Sequence, residues 1–265
     1  MDIYMRDPDI LFTELNTFFE STNIDFMNHG YYPSYDFIKK EDQDYKNQLS
    51  LYFSLFDNLK FKNKNILEVG CGRGGGIKAL SKYFNFKEIH ACDLNEKNIE
   101  YCKINNNNKN IKFKVSDAQN LDYPDNYFDI IINVESSHNY ENFSLFFNEI
   151  KRVLKPNGIF LYTDVGNTIH FFPNFFYLFK NIIRTDITEN VANASKDDIE
   201  NFKNLKIKQD VKEWLVDLAI RKYYDYSSQK NRYIRYVCSD NDDWFNKNND
   251  KQNWSFLFQS LSAEE

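Results

Sequence analysis

Several large classes of protein are excluded by what this chain of 265 residues lacks. Its four cysteines, at 71, 92, 102 and 238, form no C-x-x-C pair and no metal-ligand spacing. That argues against a disulfide framework and points to a reducing compartment, so a cytoplasmic location is expected. There is no block of basic residues, and the net charge is −6. An electrostatic grip on nucleic acid wants the opposite sign, so no nucleic-acid partner is expected. The most apolar segment, His170 to Phe179, is broken by Pro173 and Asn174 and is too short to span a bilayer, so no stable membrane insertion is expected. Met1 to Asp7 lacks the cationic-then-apolar layout of a signal peptide. No internal repeat is visible, and the length suits one domain with an insertion. Aromatic residues, by contrast, reach 17%. Such an excess fits an apolar acceptor pocket. It equally fits a composition biased toward Asn, Lys, Ile, Phe and Tyr, of which Asn105-Asn106-Asn107-Asn108 is a sign.

The most informative stretch is Asn65-Ile66-Leu67-Glu68-Val69-Gly70-Cys71-Gly72-Arg73-Gly74-Gly75-Gly76. Branched apolar residues lead into a glycine cluster, and a helical pattern follows at Ile77-Lys78-Ala79-Leu80. This reads as a buried parallel strand, a tight turn and a helix start. Gly70, Gly72 and Gly74 permit positive φ and close approach of a ligand, and the free N–H groups of the helix start suit an anionic group. The spacing G-x-G-x-G departs from the dinucleotide pattern, although Gly75 also satisfies the longer form. Alone, such a loop can be a mere strand–helix turn.

Two acids narrow the reading. Ile89 to Leu94 reads as a second strand ending in Asp93, about 20 residues past the loop, where a carboxylate can accept both ribose hydroxyls of a nucleoside. Ile111 to Ala118 reads as a third strand ending in Asp117, suited to an adenine amino group. Ligands of open α/β sheets sit beyond the carboxyl ends of strands, so three such ends converge on one crevice.

The run Glu68-Val69-Gly70-Cys71-Gly72, Asp93 and Ser116-Asp117-Ala118 resembles the class I S-adenosylmethionine-dependent methyltransferases. So do Tyr127 to Asn133 and Leu154-Lys155-Pro156-Asn157-Gly158. These motifs cover roughly residues 65–165 and are specific jointly rather than singly. Asn28-His29-Gly30-Tyr31-Tyr32, Asn133 to Tyr140 and Asp186 to Val191 look like the branch that methylates polyketides, glycolipids and sugar-bearing natural products, usually on oxygen. The resemblance implies an α/β, Rossmann-like, seven-stranded, mostly parallel sheet with helices on both faces. It also implies S-adenosyl-L-methionine as cofactor, a small-molecule acceptor and room for a homodimer. Cofactor contacts are implied at Gly70, Gly72, Gly74, Asp93, Leu94, Asp117 and Ala118. Glu68 is expected to reach the methionine ammonium directly or through water, and Asn133 to offer its backbone carbonyl there. In the resembling enzymes an N-terminal segment folds over the cofactor, so Tyr31 and Tyr32 are candidate lid contacts, Tyr31 foremost.

Four regions are expected: an N-terminal helical lid over 1–60, the cofactor-binding core over 61–165, a helical cap over 166–230 and closing strands over 231–265. Within them, helical spacing recurs at Ile10, Leu11, Leu15, Phe18 and Phe19, and again from Leu49 to Phe56. Alternating elements from 65 to 165 predict a parallel sheet with helices on both faces. The helices are expected at Gly75–Tyr83, at Glu96–Asn105 with Asn95 as N-cap, and at Ser144–Leu154 with Leu145, Phe146, Ile150, Val153 and Leu154 on one side. Ile159 to Asp164 is the fifth strand and Asn181 to Asp186 a sixth. Two helices follow between Glu189 and Tyr226, with Val211, Trp214, Leu215, Leu218 and Ala219 as an apolar face. Asn253 to Ser260 is expected to be the closing antiparallel strand.

Methyl transfer from a sulfonium requires alignment and exclusion of water. A hydroxyl acceptor must also lose its proton, and histidine is the usual base. His138 follows the fourth strand, and Asp164 ends the fifth. A His and an Asp act together at these motif positions in resembling O-methyltransferases, which implies His138 as base and Asp164 as its orienting partner. The competing reading has His138 packing against the methionine end of the cofactor. Glu135 and Asp164 could share a magnesium ion, but no second well-placed carboxylate pair exists, so no metal is expected. The alternatives to O-methylation are N- or C-methylation, a non-catalytic cofactor-binding protein and, more remotely, a nicotinamide-dependent dehydrogenase.

Overall fold

Strongly apolar residues between Asn65 and Val69 form β1, buried along its whole length as a strand covered on both faces must be. In the computed structural model, which describes residues 18–19, 24–56, 59, 62–166 and 176–242, β1 lies at the centre of a seven-stranded sheet. The other strands are β2 (Glu88–Asp93), β3 (Ile111–Val115), β4 (Phe128–Val134), β5 (Leu154–Gly166), β6 (Asn181–Asp186) and β7 (Arg232–Ser239). Their order is β3-β2-β1-β4-β5-β7-β6. The first five run parallel, and β7 pairs antiparallel with both β5 and β6. The sheet is therefore Rossmann-like and mostly parallel, with the expected sixth strand at its edge. The antiparallel strand beside β5 is Arg232–Ser239; the expected closing strand, Asn253 to Ser260, lies outside the described residues. So do Ile10, Leu11, Leu15 and the apolar segment around His170.

Helices α1 (Lys46–Leu55), α2 (Gly75–Tyr83), α3 (Glu96–Ile104), α4 (Phe143–Val153), α5 (Thr188–Lys203) and α6 (Gln209–Ser227) surround the sheet. Alternate residues of the central strands enter opposite cores, as the period of two requires. Ile66, Ile130 and Ile132 join Leu51, Phe53, Ile77 and Leu80 on one face. Leu67, Val69 and Ile131 join Phe146, Phe147, Ile150 and Phe160 on the other. A third core holds Phe19 and Ile24 against Phe202, Val211, Leu215 and Ala219, so the N-terminal segment and the α5–α6 pair share one packing unit. In α4 the buried stripe is Phe146, Phe147, Ile150 and Val153, whereas Leu145 is half-exposed. The expected face holds at Phe146, Ile150 and Val153, with Phe147 in place of Leu145 at its edge.

Two local devices position the site. Asn95 caps α3, its Oδ1 accepting from Asn98 N at 3.1 Å, a contact that contributes about 1 kcal/mol. The break in strand order falls between β1 and β4, where a crevice opens beyond the strand ends. No described helix is long and apolar enough to cross a membrane.

Candidate functional site

A cavity of about 460 Å³ occupies that crevice. Its floor is the turn after β1, where Gly70 and Gly72 have φ of 71° and 52°. Asp93 ends β2 and accepts from Gly72 N at 2.8 Å through Oδ2, and from Asn95 N and Asn98 Nδ2 at 3.0 and 3.1 Å through Oδ1. Its carboxylate is locked in place by backbone and cap before any ligand arrives. Leu94, 64% exposed, presents an apolar side chain at the cavity mouth, and Asp117 and Ala118 complete that wall. Gly70, Gly72, Asp93, Leu94, Asp117 and Ala118 thus line one space.

Four other expected cofactor residues stand elsewhere. Gly74 faces α3 and β3: a Cβ there would lie 2.9 Å from Cys102 Sγ and 3.2 Å from the Phe113 ring. Asn133 is wholly buried, its Nδ2 donating to Val69 O at 2.9 Å and to Tyr140 Oη at 3.1 Å. Glu68 lies behind the cavity wall. The Tyr52 hydroxyl, whose residue does line the cavity, donates to Glu68 Oε1 at 2.8 Å. Glu68 Oε2 is buried without a partner, and burial pushes the carboxyl up to about 8 despite the bonds from Tyr52 and the Ile77 backbone. Tyr31 does not reach the cavity: its N–H donates to Asn47 O at 2.8 Å and it packs against the core, because the chain turns away at Gly30. The N-terminal wall is built instead by Asp25, Phe26, Met27 and Asn28.

Beside this cavity the structure brings His138 and Asp164 together. Nδ1 of His138 lies 2.7 Å from Asp164 Oδ1. The carboxylate, 5% exposed, also accepts from Ser137 Oγ at 2.7 Å, His138 N at 3.1 Å and Val165 N at 2.8 Å. Burial alone would lower the His138 pKa, but the charge and hydrogen bond of Asp164, helped by Glu135, hold it above the ordinary value. The imidazole is about one-third exposed, and with Nδ1 fixed on Asp164 its Nε2 edge is the face left for another group. His138 is outside the cavity lining, while its neighbours Ser136 and Asn139 are inside it.

A second buried array joins His29 and Glu135, which the sequence singled out separately and did not pair. Glu135, at φ 48°, accepts from His29 N and Tyr233 Oη at 2.6 and 2.5 Å through Oε1, and its Oε2 lies 2.6 Å from His29 Nδ1. Burial opposes ionisation of both partners: it lowers the His29 pKa despite the Glu135 charge, so His29 serves chiefly as an N–H donor, while His29 and Lys222 together bring Glu135 down to about 2. Its two oxygens are committed to these donors rather than to a metal. Among the described residues no group of three or more His, Cys, Asp or Glu side chains is placed to hold one. His29 belongs to the Asn28–Tyr32 stretch that the sequence singled out, so its position carried a signal; Tyr52 and Tyr233 carried none.

These features fit S-adenosyl-L-methionine. Two acids and an exposed apolar side chain suit an adenosine, and an unpartnered buried carboxyl oxygen behind Tyr52 suits an ammonium nearby. Comparisons with known proteins agree. Residues 67–162 match the methyltransferase domain family. The fatty-acid O-methyltransferase of Mycolicibacterium smegmatis is 39% identical over 142 residues, 52% of each chain. The phthiotriol/phenolphthiotriol dimycocerosates methyltransferase 1 of Mycobacterium ulcerans is 34% identical over 145 residues, 54% of each. The chain thus spans about half the length of the curated relatives it matches. Among solved structures, the phosphoethanolamine N-methyltransferase 2 of Haemonchus contortus, in complex with S-adenosyl-L-methionine, superposes with a TM-score of 0.65. The match covers 75% of this chain and 55% of that one at 16% identity, a likeness of fold alone. The stretch similar to the methyltransferase domain, residues 67–162, runs from β1 to β5 and carries the turn, the strand ends and most of the cavity wall.

Proposed function

We propose that this chain is an S-adenosyl-L-methionine-dependent methyltransferase that modifies an oxygen of a small, lipid-like acceptor, with His138 as general base. The observation that carries the reading is the 2.7 Å contact between His138 Nδ1 and Asp164 at the edge of the donor cavity. When bound, the cofactor supplies a methyl group on a positively charged sulfur. Asp93, already oriented by Gly72 N, Asn95 N and Asn98 Nδ2, would receive the ribose hydroxyls, and Asp117, on the same cavity wall, would accept from the adenine. Nε2 of His138 takes the proton of the acceptor hydroxyl, while Asp164 fixes the tautomer and stabilises the imidazolium. A base outside the donor's own cavity is where a group acting on the acceptor belongs.

The relatives' names span two acceptor chemistries, a fatty acid and a phthiotriol lipid. A carboxylate acceptor is the second reading, favoured by the raised His138 pKa and by Lys222, a cation that acts electrostatically on His138 and Glu135. A carboxylate needs no base and would pair with protonated His138. The test is incubation with S-adenosyl-L-methionine and separate panels of hydroxylated lipids, fatty acids, amines and polyketides, read by mass spectrometry for the gain of one methylene. Turnover confined to amines, or none with tight donor binding, would remove the oxygen-transfer reading.

A further inference from the structure

Residues 24–29 cross the donor cavity and are fastened on both sides of it. On the α2–α3 side, Arg73 Nε donates to Ile24 O at 2.8 Å, Tyr101 Oη donates to Asp25 Oδ1 at 2.7 Å, and Lys78 Nζ lies 2.7 Å from Asp25 Oδ2. On the β4 side the fastening is Glu135, bonded to both the backbone and the ring of His29 and to the Tyr233 hydroxyl. Between the two anchors lie Phe26, Met27 and Asn28, which form cavity wall.

The backbone at Glu135 sharpens the point. Its φ of 48° is the left-handed region, which costs a non-glycine residue about 1 kcal/mol. Glycine would carry no such cost, so what this position gains from glutamate is the carboxylate. The His29 and Glu135 side chains are only 11% and 7% exposed. A buried pair of this kind is tolerable when its polar atoms are satisfied, and here both carboxylate oxygens are.

We propose that Glu135 is a positioning residue of the donor site: braced by Tyr233 and bonded to His29, it clamps residues 24–29 across the cavity, and donor affinity depends on that clamp. This rests on the cavity being the S-adenosyl-L-methionine site proposed above. The chemistry is left to His138; Glu135 itself lines the cavity, but its carboxylate oxygens are committed to His29 and Tyr233, so it acts on the donor through the wall it holds.

The test is titration calorimetry of the full chain with S-adenosyl-L-homocysteine, on wild type, Glu135→Gly, His29→Ala and His29→Asn, with thermal midpoints of the ligand-free proteins. Glu135→Gly relieves the strained backbone, so its loss of binding is separable from misfolding. The expected result is at least about tenfold weaker binding for Glu135→Gly and His29→Ala. His29→Asn keeps an N–H donor near the Nδ1 position and recovers most of the affinity. Once an acceptor is identified, the donor KM rises by a larger factor than kcat falls. Binding by Glu135→Gly within about twofold of wild type overturns the clamp. A loss that merely tracks the thermal midpoint, with no recovery in His29→Asn, overturns it too. A wild-type chain that does not bind S-adenosyl-L-homocysteine overturns the donor reading itself, and the clamp with it.

Discussion

Ser136 Oγ fills the space that a side chain at Gly70 would need: a Cβ built there lies 1.9 Å from that oxygen and 2.8 Å from Tyr140 Oη. The ends of β1 and β4 therefore meet without any atom to spare. At Gly72 the situation is opposite, with only Met27 Sδ nearby at 3.6 Å and the cavity beyond. Gly70→Ala should cost about 3 kcal/mol or more, the sum of overpacking and positive φ. Gly72→Ala should cost about 1 kcal/mol of stability yet place a methyl group in the donor's path. Urea midpoints and S-adenosyl-L-homocysteine affinity separate the two. Ser136→Gly added to Gly70→Ala should restore part of the lost stability, the coupling expected of residues in contact.

With His138 and Asp164 in the proposed roles, the pair should set the pH profile. With a hydroxyl acceptor only neutral imidazole serves, so kcat/KM should climb as pH rises through a value above the ordinary 6.5 and then level. With a carboxylate acceptor it should fall over the same range, because the imidazolium is the useful form. His138→Ala should lower kcat by about 10²–10⁴-fold in the first case and far less in the second. Because the folded pKa is raised, the dyad's stabilising contribution is full at low pH and lost as pH rises through that value. Stopped-time assays across pH on both acceptor classes decide.

How far these features could be read in advance depends on whether their cause is local. β1, α2 and the Asn95 cap were legible because strand burial, glycine turns and N-caps are written in consecutive residues. β7 was not. Arg232-Tyr233-Ile234-Arg235-Tyr236 carries two arginines and reads as polar, but Arg235 is buried and donates to Ser54 O at 2.6 Å, a partner 181 residues away. The pairing of Glu135 with His29, 106 residues apart, escaped for the same reason. His138 and Asp164 were legible as a pair because His138 lies in the turn just past β4 and Asp164 near the carboxyl end of its parallel neighbour β5, so sheet order brings them together.

Glu68 should trade stability for donor binding. Burial raises its pKa to about 8, so the folded state holds a proton that the unfolded chain gives up near 4.5. Folding stability attributable to it therefore declines as pH rises between those values, by up to about 1.4 kcal/mol per unit. Glu68→Gln should stabilise the protein at pH 8 relative to wild type and leave it little changed at pH 5. The same substitution should weaken donor binding, because an ammonium near Tyr52 loses the carboxylate. Thermal melts at the two pH values test the first claim. Calorimetry in buffers of different ionisation enthalpy tests the second: wild type should release a proton on binding the amino-acid end of the donor, and Glu68→Gln should not.

The attachment of α5 to α1 allows a buried network to be weighed against a surface pair. Asp198, 3% exposed, accepts from Asn47 Nδ2 at 2.7 Å and Gln48 Nε2 at 2.6 Å, and burial pushes its pKa to about 6. One residue away, Asp197 pairs with Lys46 at 3.0 Å in a half-exposed position. Asp198→Ala leaves the buried Gln48 amide without its acceptor and should cost about 2–3 kcal/mol. Lys46→Ala removes only a solvated ion pair and should cost less than about 1 kcal/mol, shrinking further in high salt. Asp198→Asn, which can still accept one of the two bonds, should fall between them. Equal losses for Asp198→Ala and Lys46→Ala in urea titrations would mean that α5 is held by its apolar face, Val191, Ala194 and Phe202, and not by this network.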